Sequence, residues 1–147
     1  MEHAAILKRM SLFQGLDSLE LVQVSKRVRH RRYRWGDRVL TDGEPGASLF
    51  MVKSGEFRAT MGEGLSAVEL AKFGEGDSFG EVALIDHGPR SASVEALSNG
   101  ELIELDARAF QELLAYSPDL KCKLLENLAR DLAAKLRHTN DTLALLL

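Results

Sequence analysis

A glutamate and an arginine in one short stretch, Glu81 and Arg90, are the side chains of this sequence best suited to bind a ligand. Both lie within residues 79–94, which read FGEVALIDHGPRSASV. An arginine guanidinium is a planar fork of donors that fits two phosphate oxygens at once. Open backbone N–H groups at the start of a helical turn also face anions. The stretch therefore predicts an anion clamp, in which a carboxylate and a guanidinium converge on one ligand.

Glycine and proline set the two turns of this clamp. Gly80 lets the backbone approach a ligand closely or adopt a positive φ, and residues 81–85 are long enough for one helical turn. Pro89 fixes φ just before Arg90 and, with Gly88, places the arginine on a sharp turn.

The remaining reactive residues predict no catalytic or metal site. The single cysteine, Cys122, excludes an internal disulfide and a cysteine-ligated cluster within the chain. No serine or cysteine stands with a histidine and an acid at a recognisable spacing, and no paired carboxylates mark a cleft. The histidines are scattered without metal-ligand spacing: His3, His30, His87 and His138. We therefore expect a protein that is not an enzyme and that holds no metal or cofactor.

Two motifs of the clamp, Phe-Gly-Glu-x-Ala-Leu and then Pro-Arg-Ser-Ala, carry a resemblance to a known family. They resemble the phosphate-binding cassette of the cyclic-nucleotide-binding domains of bacterial catabolite activators, cyclic-nucleotide-gated channels and kinase regulatory subunits. Four further pieces follow the family's order and usual intervals: GDRVL at 36–40, GEPG at 43–46, FMVKSGE at 50–56 and FGEGDSFGE at 73–81. The resemblance spans roughly residues 11–140.

The resemblance implies a set of nucleotide-binding residues. Arg90 and the hydroxyl or N–H of Ser91 would contact the phosphate, and the Glu81 carboxylate would accept a hydrogen bond from a ribose 2′-OH. The others would contribute backbone N–H groups and room. The full set is Gly80, Glu81, Val82, Ala83, Arg90, Ser91 and Ala92.

Each of these residues also has an ordinary structural interpretation. Arg90 suits a surface ion pair with Asp86 or Glu95, which is a common and weakly stabilising arrangement. Glu81 suits the start of a short helix, where the helix dipole favours an acid. Residues 91–92 suit the end of a turn and the packing of a strand.

Composition bounds the class of protein. The chain has 147 residues, 45% of them hydrophobic and 28% charged, which predicts one soluble domain spanning residues 1–147. The net charge of −3 gives no global field for nucleic acid or anionic membranes. No apolar run approaches eighteen residues, so we expect no membrane segment. The first residues lead into an amphipathic segment and not a signal peptide, which points to the cytoplasm.

Periodicity predicts a mainly β fold with flanking helices. Residues 2–10 and 18–28 show helical spacing, with Asp17-Ser18 as a plausible N-cap. From residue 33 to 105, seven or eight short runs separated by turn residues indicate a sandwich or barrel, and the resemblance sharpens this to a jelly-roll-like double-stranded β-roll. The clearest runs are 38–41, 48–52, 56–61, 67–73, 91–96 and 101–105. Helices are expected again over residues 106–146.

The last of these helices carries a leucine stripe: Leu120, Leu124, Leu125, Leu128, Leu132, Leu136, Leu143 and Leu146. The stripe exceeds what packing against a small β-roll needs at its far end. The helix therefore either pairs with a second copy, giving a homodimer, or was severed from a following domain. In the catabolite activators the equivalent helix dimerises and leads into a helix-turn-helix domain. We find no such DNA-binding domain in these residues.

The basic run at 26–34, KRVRHRRYR, resembles a nucleic-acid patch when read alone. It spans a helix end and the approach to the first roll strand, so its charges are expected to point in several directions. A solvated face is the favoured interpretation, and a bridge to nucleic acid ranks third among the functions considered.

A 3′,5′-cyclic nucleotide matches the clamp because it carries one phosphate charge and a free 2′-OH. A linear monophosphate has a second partial charge and a free 3′-OH, so it should fit worse. Serine at position 91, where family members that prefer cGMP often carry threonine, favours cAMP over cGMP. The family's register puts its base-contacting pair at Lys135-Leu136, neither of them a hydroxyl. This leaves Lys135, Arg137 and Thr139-Asn140 as candidates to cap the base, although an ordinary solvated helix face is the favoured interpretation of each one taken singly.

The sequence thus predicts a cyclic-nucleotide sensor whose long helix closes over the base as its signal. The alternative is a descendant of the same fold with an empty pocket, whose long helix serves only for structure or dimerisation.

Overall fold

A computed structural model describes residues 2–62, 64–90 and 92–146, with side chains described between residues 4 and 141. The helices are α1 (Glu2–Lys8), α2 (Ser18–Ser25), α3 (Glu81–Asp86), α4 (Ala107–Tyr116) and α5 (Pro118–Leu146), with 3₁₀ turns at Ser11–Phe13 and Gly64–Ser66. The strands are β1 (Arg29–Tyr33), β2 (Arg38–Leu40), β3 (Ser48–Ser54), β4 (Phe57–Met61), β5 (Val68–Phe73), β6 (Ser78–Phe79), β7 (Ser93–Ala96) and β8 (Gly100–Asp106).

In the described residues these strands form two antiparallel sheets of four. The first sheet has the order β1-β8-β3-β6 and the second has the order β2-β7-β4-β5. The predicted fold class is confirmed: a β-roll flanked by short N-terminal helices and a long C-terminal helix. Six of the eight strands lie within about two residues of their predicted bounds, because turn residues delimit them locally.

Strand β3 is buried on both of its faces. Phe50 and Val52 pack into the apolar core between the two sheets, together with Phe57, Val94 and others. Leu49 and Met51 point the other way, into a second core shared with the helices. Because successive strand residues alternate in direction, a strand covered on both faces is continuously apolar. This explains the unbroken run from residue 49 to 52.

Polar contacts attach the N-terminal helices to the root of α5. Asp17 and Glu20 form a capping box at the start of α2, which confirms the predicted N-cap. The Glu20 carboxylate also accepts a hydrogen bond from Lys123 Nζ at 2.7 Å. The buried Asn127 side chain donates to the carbonyls of Leu12 and Gln14, at 2.9 and 2.8 Å. These contacts fix the first half of α5 against the rest of the molecule.

The start of the β region differs from the prediction. Helix α2 ends at Ser25 and not at residue 28, and β1 occupies residues 29–33, where we expected only an approach to the roll. Four of the five β1 residues are exposed, so the strand has no apolar alternation to reveal it. The pairing of β1 with β8 holds it instead, aided by the Arg31–Glu104 and Arg32–Glu101 ion pairs at 2.9 and 3.5 Å. Much of the basic run is therefore a solvated face, as expected.

Replacing Asn127 tests the attachment of α5. In Asn127→Ala the carbonyl of Leu12 loses its side-chain donor in a buried setting, so the free energy of unfolding should fall by about 1–3 kcal/mol. Urea denaturation followed by circular dichroism measures this change. Lys121→Ala, at an exposed position of the same helix, is the control and should change the free energy of unfolding by less than about 0.5 kcal/mol. Equal effects of the two substitutions would contradict this role of Asn127.

Candidate functional site

A cavity of about 810 Å³ opens between the second sheet, α3 and the distal half of α5. Its walls include Phe73 and Phe79 on the roll, Glu81 and Arg90 from the predicted clamp, and Lys135 from the long helix. The structure therefore places the two predicted polar side chains in one cavity.

Gly80 turns the chain into α3 with a left-handed φ of 88°. A Cβ atom here would lie 2.7 Å from the Ser48 carbonyl oxygen and 3.0 Å from Arg90 Nη1. Glycine is therefore required both for the backbone conformation and for the close approach of its neighbours. The predicted helical turn follows at once, as α3.

The Arg90 guanidinium is buried, with 7% of the residue exposed. Its Nη1 donates to the Ser48 carbonyl oxygen at 3.0 Å, and its Cζ lies 6.0 Å from the centre of the Phe50 ring. Burial lowers the pKa of Arg90 below its usual value, and the nearby Glu104 carboxylate opposes that shift. A desolvated cation held in this way is poised to receive an anion.

The two carboxylates considered as ion-pair partners of Arg90 bind other groups in the structure. Asp86 Oδ1 accepts the Gly88 N–H at 2.8 Å, and Glu95 Oε1 accepts from Arg58 Nε at 2.5 Å. The ordinary interpretation of Arg90 as a surface arginine paired with Asp86 or Glu95 is therefore wrong.

Gly46 is a residue of the site to which sequence reasoning gave no role. A Cβ atom at this position would lie 2.9 Å from Arg90 Nε, so the guanidinium packs directly on the glycine. The same loop also holds the arginine main chain, since Arg90 N donates to the Glu44 carbonyl oxygen and Gly43 N to the Arg90 carbonyl oxygen, at 2.9 and 2.8 Å. The GEPG motif at 43–46 was noted in the sequence as part of the family resemblance, but its spacing does not indicate a contact with Arg90.

The Glu81 carboxylate has an internal partner from the long helix. Glu81 is 5% exposed, and its Oε1 accepts from Lys135 Nζ at 2.5 Å. The Lys135 ammonium also donates to the Ser78 carbonyl oxygen and lies 5.6 Å from the centre of the Phe73 ring. Glu81 Oε2 is buried and has no hydrogen-bond partner among the described residues. An unpaired buried acceptor costs about 1–3 kcal/mol, so it marks a place for a donor.

The other predicted site residues that the structure describes also line the cavity, and they are Gly80, Val82, Ala83 and Ala92. Ala83 is buried, and Ala92 lies half-buried against the core of the roll. Val82 lines the cavity rim, with 53% of the residue exposed. Ser91 lies outside the described residues, so its predicted phosphate contact stays a prediction.

The candidates for capping the base form two groups, one in the cavity and one outside it. Lys135 and Thr139 line the cavity, and Thr139 Oγ1 donates to the Lys135 carbonyl oxygen at 3.1 Å. Leu136, Arg137 and Asn140 are exposed and lie outside the cavity lining. Of the pair at the family's register, Lys135 lines the cavity, whereas Leu136 is 62% exposed and lies outside the lining, so a base contact by either residue stays a prediction.

In the described part of the chain, the histidine, cysteine, aspartate and glutamate side chains include no group of three arranged to hold a metal ion. None of the helices in this part combines the length and the apolar character needed to span a bilayer.

The family model of the cyclic nucleotide-binding domain matches residues 30–117 of the chain. The CRP-like cAMP-activated global transcriptional regulator of Mycobacterium tuberculosis is 33% identical over 144 residues, which is 95% of this chain and 61% of that protein. The chain thus spans less than two thirds of the length of this curated relative.

Solved structures give the same likeness. A cyclic nucleotide-binding domain from Methylobacillus flagellatus superposes with a TM-score of 0.87 and 28% identity, over 99% of this chain and 83% of that one. The regulatory domain of Toxoplasma gondii PKA, crystallised with cAMP, superposes with a TM-score of 0.68 and 29% identity, over 76% of this chain and 42% of that one.

Proposed function

The chain belongs to the cyclic nucleotide-binding domain family, and from this premise we propose that it binds a 3′,5′-cyclic nucleotide as a regulatory sensor module. One observation carries the proposal: the buried guanidinium of Arg90 and the buried, half-satisfied carboxylate of Glu81 line the same cavity. Residues 1–147 act as one binding module, without a catalytic reaction, in the cytoplasm.

The phosphate binds at Arg90. The guanidinium is desolvated, and its described hydrogen bond goes to a neutral carbonyl, so a phosphate oxygen offers the charge that the site lacks. A cyclic phosphate carries one negative charge, which matches one guanidinium. Ser91 adds its hydroxyl or N–H, and Gly80, Val82, Ala83 and Ala92 shape the cradle.

The ribose binds at Glu81. The unpartnered Oε2 accepts the hydrogen bond of the 2′-OH, which removes the penalty of a buried acceptor without a donor. A linear monophosphate binds more weakly, because one guanidinium matches one negative charge better than two, and because a free 3′-OH takes the place of the bond that closes the cyclic phosphate ring.

The base is adenine in preference to guanine. The Thr139 hydroxyl donates its hydrogen bond to the Lys135 carbonyl oxygen, so its Oγ1 is left as an acceptor facing the cavity. An acceptor suits the adenine N6 amine, whereas guanine has the O6 acceptor at the corresponding position. The printed names of two relatives, one cAMP-activated and one crystallised with cAMP, point in the same direction.

Closure of α5 over the nucleotide is the signal. The first half of the helix is fixed, since Leu120, Leu124 and Leu128 are buried in the helical core. Beyond residue 132 most described positions are exposed, yet Lys135 and Thr139 cover the cavity. The distal half is therefore the segment that ligand binding can move between two positions.

The outer face of α5 pairs with a second copy of the chain. Apolar side chains are exposed along this face at helical spacing: Leu125, Ala129, Ala133 and Leu136. A stripe of this kind is typical of a helix-helix interface. Sedimentation velocity at rising protein concentration should show self-association, and Leu125→Glu should weaken it. Arg108→Leu, at an exposed position of α4 away from this face, should not. A wild-type protein that stays monomeric with and without ligand would rule out the pairing.

Substituting Arg90 tests the sensor function. Calorimetric titration of the wild-type protein with cAMP should give a dissociation constant in the micromolar range or below. Arg90→Leu keeps an apolar stem in the buried site but removes the charge-assisted contact, so affinity should fall about ten- to a hundred-fold. Arg108→Leu, at a side chain 92% exposed, is the control and should bind as the wild type does.

Three outcomes of this titration are distinguishable. No binding of cAMP or cGMP by the wild-type protein favours the alternative, a ligand-free structural or dimerisation module. Preference for cGMP over cAMP overturns the choice of base alone. Equal affinities of the wild type and Arg90→Leu overturn the phosphate role of Arg90.

Gly46 and Gly74 form a matched pair for testing how Arg90 is positioned. Both have a φ that other residues adopt, but a Cβ at Gly46 meets Arg90 and one at Gly74 meets nothing within 4 Å. Gly46→Ala should shift the flexible guanidinium without unfolding the protein, and should weaken cAMP binding about three- to ten-fold. Gly74→Ala should leave the affinity unchanged. Calorimetry and thermal melts of both variants separate the two effects, and equal affinities would show that Gly46 does not position Arg90.

A further inference from the structure

The two oxygens of the Glu81 carboxylate have different surroundings. Oε1 is bound by Lys135, whose ammonium is also held by the Ser78 carbonyl and the face of the Phe73 ring. Oε2 is shielded from solvent and has no partner in the described structure. One carboxylate thus has one oxygen committed to the long helix and one oxygen uncommitted.

We propose that Lys135 is a positioning residue that couples ligand binding to the docking of α5, by sharing the Glu81 carboxylate with the ligand. Lys135 holds Oε1 and thereby fixes the orientation in which Oε2 is offered to the 2′-OH of the ligand. The inference rests on the proposed function, since it assigns the way in which the same site is regulated.

The burial of Glu81 makes this cation necessary. A carboxylate with 5% exposure is stable in its charged form only if a partner compensates for the lost hydration. Without Lys135, we expect the charged side chain to turn towards water. This movement removes the oriented acceptor from the ligand site. A hydroxyl that arrives while Lys135 is in place meets an acceptor that is already desolvated and oriented.

Because Lys135 lies on α5, its contact with Glu81 links the ligand site to the docking of this helix. The residue lies beyond the buried leucines of the helix, in the half where neighbouring positions such as Leu136 and Arg137 are exposed. A ligand that fixes Glu81 strengthens the hold of Glu81 on Lys135, and so on the distal half of α5. By reciprocity, a docked α5 strengthens ligand binding by the same factor.

The test compares cAMP with 2′-deoxy-cAMP by calorimetry, in the wild-type protein and in three variants. Lys135→Gln removes the cation, Lys135→Arg keeps a cation, and Arg137→Gln removes the same charge from an exposed neighbour outside the cavity lining. The wild type and Arg137→Gln should prefer cAMP about ten-fold or more, as expected for a hydrogen bond to a charged group. In Lys135→Gln this preference should shrink below about three-fold, and affinity for cAMP should fall about ten-fold. Lys135→Arg should recover part of both.

A second readout follows α5 itself. Amide hydrogen exchange over residues 129–141 should slow when cAMP binds to the wild type, and should be faster and less responsive to cAMP in Lys135→Gln. A Lys135→Gln protein that keeps the full preference for cAMP, or that binds cAMP more tightly than the wild type, overturns the proposal. The second of these outcomes would identify Lys135 as a competitor of the ligand. A wild-type protein that binds neither nucleotide overturns the sensor function, and the coupling with it.

Discussion

The site depends on keeping one guanidinium charged inside the protein. Arg90 is held by the Ser48 carbonyl oxygen at the start of β3, and Gly46 and Gly80 leave just enough space on either side for its nitrogens. The Ser48 hydroxyl donates in turn to Glu104 Oε2 at 2.7 Å. The cation is thus oriented by a backbone oxygen and balanced at longer range by a carboxylate, which leaves its own hydrogen-bonding face for an anion.

Local patterns in the sequence predict the parts of the fold that are set locally. Turn residues delimit six strands, and the N-cap residue Asp17 marks the start of α2. Strand β1 escapes prediction because its sequence, RHRRY, has no apolar face, and its place is set by pairing with β8 about seventy residues further along the chain. Two-residue β6 is too short to carry any period. Such elements are determined by partners that a local window does not contain.

The candidate site likewise contains residues that local sequence predicts and residues that only the folded structure brings together. Glu81 and Arg90 stand close together in the sequence, so their types and spacing predict a clamp, and both line one cavity in the structure. The contact of Lys135 with Glu81 spans 54 residues, and that of Gly46 with Arg90 joins two loops. Periodicity and motif spacing contain no information about either contact. The two charged groups of the proposed clamp can therefore be predicted from the sequence, whereas the residues that hold them in place depend on the completed fold.

The alternation along β3 makes the roll and the helical layer one cooperative unit. Phe50 belongs to the core of the roll, and Leu49 and Met51, its neighbours in the chain, belong to the core under the helices. Separating the helices from the sheet would therefore bare one side of a strand whose other side still supports the roll. Ser48 begins this strand, so the carbonyl oxygen that binds Arg90 is connected to both layers. Partial unfolding of either layer would therefore weaken the contact that holds the guanidinium.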